Sequence, residues 1–488
     1  MEKSRREFLK GTAWMGVAAA AAGCLTKGGV AGIGGGLGAP MYGFKVAPMK
    51  RIRVGFVGIG VRGGPAVKRV ASIPGCEVTA LCDFFDERVQ KWTKWLTDNG
   101  YKAPKGYSGE EGWKALCDSD DVDVVYCASS WPLHLPVCVR AMANGKHALT
   151  ETPGVQGTDE AWEIVEAAEK YRRHCMLLEN CCYGEEELLA HNLCVKGLLG
   201  EILHCECGYL HDQREVCWGP RYWLKPGEDV NWKLKLLRGR NGNMYPTHGF
   251  GPIARCMNIN RGDRLDYLVS METKQCAWDA FAAAKYPEKA RAVGPLVRGD
   301  INTALIRTVN DRTIYLVYNV STPQPYSRIN VLTGSKGCFR SYPKLNFGFA
   351  GNAVDPVKAY FDEAKTEELR KTYMHPIWKA AGELGKKVGG HGGMDFVMDL
   401  RWAYCLMNGL PLDNDVYDLA TWSSLRDLTE RSVRNRSRPV DIPDFTRGAW
   451  KTMKPFEICD MDISKFGEIR IRRDEDALKA NRAEGISA

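Results

Sequence analysis

Three glycines near residue 60 have the spacing of a turn that binds the phosphates of a dinucleotide. They occur as Gly58-x-Gly60-x-x-Gly63, after the apolar run 51–57 and before a predicted helix that ends near Ser72. The first glycine permits a tight turn, the second lets the backbone approach a pyrophosphate, and the third lets the helix pack on the preceding strand. The N-terminus of that helix presents N–H groups and the positive end of its dipole to the phosphates. We call residues 58–63 the glycine loop.

Asp83 is the second residue whose type and position suit this chemistry. It follows a predicted strand over 77–82 and lies 20 residues after Gly63. A carboxylate at this place accepts hydrogen bonds from the ribose hydroxyls, while its charge repels a 2′-phosphate. The spacing therefore predicts a dinucleotide-binding domain that prefers NAD to NADP.

Strands and helices continue to alternate after Asp83, as in a doubly wound α/β fold. Further strands are predicted at 122–128, 146–150 and 175–178, with helices at 135–143 and 159–171. Nucleotide and substrate are expected to meet at the carboxyl ends of these strands. We therefore predict an N-terminal Rossmann domain with a parallel sheet over 51–183.

A second domain is predicted over 184–451, because the pattern of elements changes there. Its strand-like runs occur at 201–210, 267–271, 301–307, 313–320 and 328–333. Such a set predicts an α+β domain with a mostly antiparallel sheet packed by helices. The tail over 452–488 is charged, and a solvated helix is expected near 470–482.

The first 24 residues have the features of an export signal. Residues 4–10 read SRREFLK, which fills the twin-arginine consensus, and the apolar run 14–22 is too short for a permanent membrane span. We expect export of the folded protein by the twin-arginine machinery, to the periplasm or cell envelope. Residues 21–24 read AAGC, a lipobox without its usual Leu, so lipidation of Cys24 is left open. A glycine-rich linker is predicted over 25–50.

The bulk composition fits a two-domain globular chain. The 488 residues are 44% hydrophobic and 26% charged, which is ordinary for a globular fold. The net charge of +8 is modest, and no Lys/Arg block is interleaved with aromatic residues, so nucleic-acid binding is not expected. None of the 18 cysteines forms a CxxC pair, and many lie in apolar runs. They are predicted to be buried free thiols, and no metal site is predicted.

Longer motifs resemble those of glycoside hydrolase family 109, a branch of the glucose-fructose oxidoreductase, inositol dehydrogenase and rhizopine-catabolism superfamily. The superfamily's usual Glu-Lys-Pro motif stands here as Glu151-Thr152-Pro153, so its titratable lysine is missing. The resemblance extends over about 51–451. Six segments carry it in order: LENCCYG (178–184), NMYPTHGFGP (243–252), PYSR (325–328), GHGGMD (390–395), NGLP (408–411) and VDIPDF (440–445).

This resemblance implies an α-N-acetylgalactosaminidase with a tightly held NAD, and it implies two sets of binding residues. The cofactor-binding set is Gly58, Gly60, Val61, Arg62, Gly63, Asp83, Trp131, His134, Glu151, Thr152, Asn180 and Tyr245. The substrate-binding set is Tyr209, Lys233, Tyr245, Pro246, Thr247, His248 and Tyr326. Lys233 stands where the family usually has Arg; it keeps the charge but lacks the bidentate fork, which leaves the exact sugar open. The superfamily often oligomerises through the open face of the second sheet, so a homo-oligomer is expected.

The reaction that the family implies is neutral in redox balance, since a hydride is taken from carbon 3 of the sugar and later returned. His248 is the main acid/base candidate, because imidazole titrates close to working pH. Tyr183 and Tyr209 are catalytic candidates as phenol acid/bases or sugar hydrogen-bond donors, although a base role needs a lowered pKa. The structural alternatives are a helix-capping role for His248 and buried aromatic roles for both tyrosines. His391 and Asp395, spaced i, i+4, are interpreted as a supporting pair.

Two other functions are compatible with these residues. One is a sugar dehydrogenase that releases reduced cofactor, which Thr152 and the export signal argue against. The other is a non-catalytic sugar-binding protein with structural NAD, which the presence of Tyr183, Tyr209 and His248 argues against. The anomer, the sugar and the natural glycan are not determined by the sequence.

Overall fold

Strands of mostly apolar residues form a first, parallel sheet in the computed structural model. The strands are β1 (Ile52–Val57), β2 (Cys76–Asp83), β3 (Lys105–Ser108), β4 (Val124–Cys127), β5 (His147–Thr150) and β6 (Cys175–Leu177). Their order is β3-β2-β1-β4-β5-β6, with every pair parallel. This order creates a crevice beside β1, where the direction of winding reverses.

Five helices connect these strands and cover the two faces of the sheet. They are α1 (Gly63–Ala71), α2 (Asp86–Asp98), α3 (Gly112–Asp118), α4 (His134–Ala143) and α5 (Thr158–Tyr171). The predicted Rossmann architecture is confirmed, and the predicted strands and helices agree with the observed ones to within about two residues. The elements α2, α3 and β3 were not predicted.

The structure describes residues 38–222, 224, 226–351, 360–457, 460–467 and 469. The predicted export signal, the linker up to residue 37 and the helix expected near 470–482 lie outside these ranges. Within them, no helix combines the length and the apolar character needed to cross a membrane. All sixteen cysteines in this part of the chain are free thiols, as predicted.

The second sheet is mixed and has eight strands. They are β7 (Ile202–Leu210), β8 (Leu265–Glu272), β9 (Ile301–Thr308), β10 (Thr313–Asn319), β11 (Val331–Gly334), β12 (Gly337–Arg340), β13 (Asn346–Phe349) and β14 (Val440–Asp441). Their order is β13-β12-β11-β7-β10-β9-β8-β14, and β7 with β10 is the parallel pair among otherwise antiparallel neighbours. The predicted strand at 328–333 begins at Val331, because Ile329 and Asn330 have positive φ and interrupt the extended backbone.

Ten α-helices accompany this sheet in the part of the chain that the structure describes. They are α6 (Glu185–Val195), α7 (Arg214–Trp218), α8 (Trp232–Arg238), α9 (Thr247–Cys256), α10 (Ala277–Lys285), α11 (Pro287–Val293), α12 (Glu363–Tyr373), α13 (Pro376–Val388), α14 (Met394–Asn408) and α15 (Val416–Arg434). One close approach matters for the site: a Cβ on Gly249 of α9 would lie 2.5 Å from the backbone of Gly208 on β7. The missing side chain lets α9 dock against β7, which brings His248 next to Tyr209.

One face of the second sheet carries apolar side chains that solvent reaches. Met271 on β8 and Leu305 on β9 are 57% and 59% exposed. The half-buried Tyr267, Val269 and Tyr315 share this face through the strand register. We call these five residues the open sheet face.

Candidate functional site

A large cavity extends from the carboxyl ends of the parallel strands to the second sheet. Its volume is about 3340 Å³. One part is lined by the glycine loop and Asp83, and another part by Tyr209, His248 and Tyr326. The predicted nucleotide and sugar residues therefore share one space, which we call the central cavity.

Backbone geometry explains the glycine loop. Gly58 has φ of 84°, and a Cβ there would lie 2.6 Å from the backbone of Ser129. A Cβ on Gly63 would lie 1.9 Å from the carbonyl oxygen of Gly58, so the start of α1 packs directly on the turn. Gly58, Gly60, Val61 and Arg62 line the central cavity, whereas Gly63 does not. The loop thus has the open, side-chain-free approach that a pyrophosphate needs.

Asp83 connects the end of β2 to the glycine loop. Its Oδ2 accepts the backbone N–H of Ile59 at 2.9 Å, and its Oδ1 accepts from Arg88 at 3.2 Å. The carboxylate lines the central cavity and is 6% exposed. It can accept ribose hydroxyls from this position, so these residues fit a dinucleotide. Arg88 was not predicted, and its only signal in the sequence is its position five residues after Asp83.

Arg62, Glu151 and Asn180 belong to one polar network whose centre is Asp395. Arg62 donates to Glu151 Oε1 at 2.7 Å and to Asp395 Oδ2 at 2.7 Å. Asn180 donates to Asp395 Oδ1 at 2.6 Å, and His391 Nδ1 lies 2.9 Å from Oδ2. Burial alone would raise the pKa of Asp395, but attraction to Arg62, His391 and Arg69 holds it well below its usual value. The interpretation of His391 and Asp395 as a supporting pair agrees with these contacts.

Thr152 stands where the superfamily has its lysine, and its hydroxyl group contacts a second hydroxyl group. Thr152 Oγ1 makes a short hydrogen bond to the Tyr245 hydroxyl. Burial raises the pKa of Tyr245 well above its usual value, so its phenol remains neutral. Trp131 stacks on Tyr245 with ring centroids 5.7 Å apart. His134 lies nearby with Nε2 3.1 Å from the Ser129 carbonyl oxygen, and burial lowers its pKa to about 4.

His248 is paired with a buried carboxylate that was not predicted as a site residue. Its Nδ1 lies 2.6 Å from Oε1 of Glu179, which has no solvent exposure. Burial would raise the pKa of Glu179, but the charge and hydrogen bond of His248 outweigh it and the pKa is lowered. The carboxylate therefore selects the tautomer with the proton on Nδ1. Nε2 is left as the proton-accepting atom of a ring that lines the central cavity.

Tyr209 contributes a neutral phenol beside the imidazole. Its ring centroid lies 5.4 Å from that of His248 and 5.0 Å from that of Tyr245. Burial raises the pKa of Tyr209 well above its usual value. A base role is therefore not supported, and a hydrogen-bond donor role remains. Tyr326 lines the same cavity, and its hydroxyl accepts from Arg328 at 2.9 Å.

Besides Gly63, three predicted site residues do not line the central cavity. Tyr183 is fully buried; its hydroxyl donates to Asp413 at 3.1 Å and accepts from Arg255 at 3.2 Å. The prediction of a catalytic role for Tyr183 is wrong, because these contacts use its hydroxyl inside the protein. Pro246 and Thr247 are buried at the start of α9 and are not part of the lining. Instead of contacting substrate as predicted, these two residues have a structural role, because they connect Tyr245 to His248.

Lys233 lines the central cavity from α8, as its prediction as a sugar residue requires. It is 9% exposed, and its Nζ lies 3.0 Å from the Trp131 ring centroid. Burial, with the nearby charges of Arg426 and Arg298, lowers the pKa of Lys233 to about 7.

Glu179, Cys181 and His248 are close enough in space to be considered as metal ligands. One ligand atom from each lies within 4.8 Å of the others. Burial raises the pKa of Cys181 well above its usual value, so in this structure it is a neutral thiol. The hydrogen bond between Glu179 and His248 accounts for the proximity of these two residues.

Two family models match the chain in succession. Residues 52–178 match the oxidoreductase family with an NAD-binding Rossmann fold. Residues 183–452 match the C-terminal domain of glycosyl hydrolase 109. The Rossmann domain is thus an NAD-binding domain, and the matched ranges meet between residues 178 and 183.

Similar proteins of known family and structure agree with these matches. A glycosyl hydrolase family 109 protein of Phocaeicola vulgatus is 43% identical over 82% of this chain and 85% of its own length. An α-N-acetylgalactosaminidase of Bacteroides fragilis is 41% identical over 83% of this chain and 94% of its own length. A levoglucosan dehydrogenase in complex with NADH and levoglucosan superimposes with a TM-score of 0.60 at 17% identity, over 81% of this chain and all of that chain. The last comparison shows a shared fold.

Proposed function

The chain belongs to glycosyl hydrolase family 109 and is a glycoside hydrolase, and on this basis we propose that it cleaves α-N-acetylgalactosaminides or related hexosaminides with the help of bound NAD. The observation that carries the proposal is that His248, with its proton-accepting Nε2, lines the same cavity as the glycine loop and Asp83. An acid/base group and a redox cofactor can therefore act on one sugar.

The residues around the glycine loop would hold NAD at one end of the central cavity. Glycine backbone would contact the pyrophosphate, and Asp83 would accept the ribose hydroxyls. Arg62, Glu151 and Asn180 form the wall beside it through their contacts with each other and with Asp395. When bound, NAD supplies a reversible acceptor for hydride.

The proposed reaction proceeds through a ketone on the sugar. Removal of hydride from carbon 3, together with the proton of its hydroxyl group, leaves a ketone that acidifies the proton on carbon 2. Loss of the carbon 2 proton to a base expels the group on carbon 1, which takes up a proton and leaves as an alcohol. Water then adds across the resulting double bond, with hydroxyl on carbon 1 and hydrogen on carbon 2. Return of hydride to carbon 3 and of a proton to its oxygen completes a hydrolysis with no net oxidation.

The side chains of the cavity suit the steps on the sugar. Nε2 of His248 would accept the proton from carbon 2, and Glu179 would stabilise the resulting imidazolium. Tyr209 keeps a neutral phenol and would donate a hydrogen bond to a sugar oxygen. Tyr326, close to Tyr209 at 6.0 Å between ring centroids, would contact the other side of the sugar.

One experiment distinguishes this proposal from the alternatives. The purified protein is incubated with an aryl α-N-acetylgalactosaminide without added NAD. Catalytic release of the aryl alcohol supports the glycosidase. Stoichiometric NADH together with an oxidised sugar would instead indicate a dehydrogenase that depends on cofactor exchange. Binding of the sugar without either product would indicate a non-catalytic protein.

We also propose where the protein is located and how it assembles. The twin-arginine pattern supports export to the periplasm or cell envelope, with Cys24 as a candidate for lipidation. Replacing Arg5 and Arg6 by Lys should leave the precursor in the cytoplasm.

The open sheet face supports a homo-oligomer in which a second copy covers Met271 and Leu305. Leu305→Glu should lower the molar mass measured by light scattering.

A further inference from the structure

Lys233 is a buried amine in the central cavity, and none of the residues that the structure describes provides it with a counter-ion. Its Nζ lies 3.0 Å from the centroid of Trp131, 5.6 Å from that of Tyr245 and 5.8 Å from that of Trp232. Within the described part of the chain, no carboxylate or carbonyl group hydrogen-bonds to it. A lysine that served only as a structural cation would be expected to have such a partner at this burial.

The charged groups that face Lys233 all oppose its protonation. Arg426 on α15 is fully buried and lies 4.9 Å from the same Trp131 ring. Arg298, before β9, is 2% exposed, and both guanidinium groups have buried nitrogens without a partner in the described residues. Cys217 on α7, whose thiolate would favour protonation of Lys233, is a buried thiol with a raised pKa, so it adds no negative charge. His134 and Tyr245 are neutral, as shown above.

The amine also lies near the position where the superfamily places its lysine. The hydroxyl of Tyr245 contacts Thr152, and the ring of the same tyrosine contacts Lys233. A lysine at position 152 would extend into this region from the Rossmann domain. Lys233 extends toward the same region from the second domain. Both positions border the space between the glycine loop and the sugar residues.

We propose that Lys233 is a catalytic base in this chain, which takes the proton of the sugar hydroxyl that becomes the ketone and later returns it. The proposal rests on the proposed function. In the forward step the O–H bond on carbon 3 breaks and an N–H bond forms on the neutral amine. The C–H electron pair on carbon 3 leaves as hydride to the oxidised nicotinamide, and the C–O bond becomes a double bond. The reverse transfers restore the alcohol and the neutral amine.

Arginine at this position could not perform the same step, since a guanidinium keeps its proton throughout the working range. Lys233 is thus a titratable group at the position where the resemblance implies an arginine. The pKa of about 7 means that a large fraction of the amine is neutral at physiological pH. Activity is therefore expected to fall as the pH drops below 7, when the base becomes protonated.

The first test measures the protonation of Lys233 without measuring catalysis. The full-length protein is labelled with trace acetic anhydride at pH 5–11, and the modification of each lysine is quantified by mass spectrometry. Lys233 should reach its plateau with a midpoint near pH 7, whereas the exposed lysines as a group should follow the ordinary value of about 10.4. A midpoint for Lys233 above pH 9 overturns the proposal. Because the readout is chemical, an inactive enzyme would disprove the proposed function without affecting this result.

The second test compares Lys233→Arg with Lys233→Met. If Lys233 is the base, both variants should lose about 10²–10⁴-fold in kcat and retain NAD. The residual activity should no longer show the decrease that wild-type activity shows when the pH drops below 7. If Lys233→Arg keeps wild-type kcat and pH profile, the residue only supplies positive charge and the proposal is wrong. Thermal melting of both variants identifies a loss caused by misfolding, with Lys379→Met, at an exposed residue in the first turn of α13, as the control.

Discussion

His248 Nδ1 and Glu179 Oε1 are 2.6 Å apart, and the carboxylate of this pair is completely buried. The two residues come from different parts of the chain: Glu179 follows β6, and His248 lies in the first turn of α9. The pair fixes the proton on the nitrogen that faces the protein interior. It therefore connects the carboxyl edge of the Rossmann sheet with the acid/base chemistry of the second domain.

Glu179→Gln should reduce turnover strongly while leaving substrate binding nearly unchanged. The amide can still contact Nδ1, but it can present an N–H and favour the wrong tautomer, and it cannot stabilise the imidazolium. We expect kcat to fall about 10²–10⁴-fold, the range for a misassigned tautomer or a lost acid/base group. Steady-state kinetics with an aryl glycoside give kcat and KM separately. Glu383→Gln, on an 82% exposed side chain, is the control, and an unchanged kcat in Glu179→Gln would contradict the role of the pair.

The features that sequence alone predicts are local in the chain. The glycine loop, Asp83 and the apolar strands lie within about 30 residues of each other, and their spacing is sufficient to place them. The pairing of Glu179 with His248 and the contact of Asp395 with Arg62 were not predicted, because these partners are 69 and 333 residues apart. Tyr183 was assigned wrongly for a related reason. It belongs to the same motif as Glu179, and the sequence does not show which side chains of a motif face the cavity.

Asp83→Ala should weaken NAD binding. The carboxylate is expected to accept two ribose hydroxyls, and each charge-assisted hydrogen bond contributes roughly 1.5–3 kcal/mol. The change also removes the contact to the Ile59 N–H that holds the glycine loop. NAD released by denaturing a weighed amount of purified protein should drop well below one equivalent, and reconstitution should require added nucleotide. Asp311→Ala, on a 76% exposed side chain outside the central cavity, should retain full occupancy. Equal occupancy in the two variants would show that Asp83 does not hold the ribose.

Asp395 should make the protein acid-sensitive. Its folded-state pKa lies well below its usual value, because Arg62, His391 and Arg69 outweigh the effect of burial. A lowered folded-state pKa stabilises the protein fully above the unfolded value of about 3.9, and this stabilisation is lost as the pH falls toward the folded value. Melting temperatures of wild type and Asp395→Asn should differ most above pH 5, and the difference should shrink progressively as the pH falls from 5 to 3. A constant difference across this range would show that the carboxylate is not ionised in the folded protein.

His248→Ala should cut turnover by about 10²–10⁴-fold while NAD stays bound, because the imidazole is the proposed acceptor of the carbon 2 proton and does not touch the glycine loop. The same proposal makes an isotopic prediction. The carbon 2 proton leaves during elimination, and water supplies its replacement when the double bond is hydrated.

Hydrolysis in deuterated water should therefore place deuterium on carbon 2 of the released sugar, detectable by mass spectrometry and by loss of the corresponding proton resonance. As a control for exchange after release, the free sugar product is incubated with the enzyme in deuterated water and analysed in the same way. If the product carries no deuterium at carbon 2, and a substrate deuterated there reacts at the normal rate, the bond is cleaved by direct displacement. In that case a pair of carboxylates would have to replace His248 as the acid/base groups, at a separation that predicts retention or inversion.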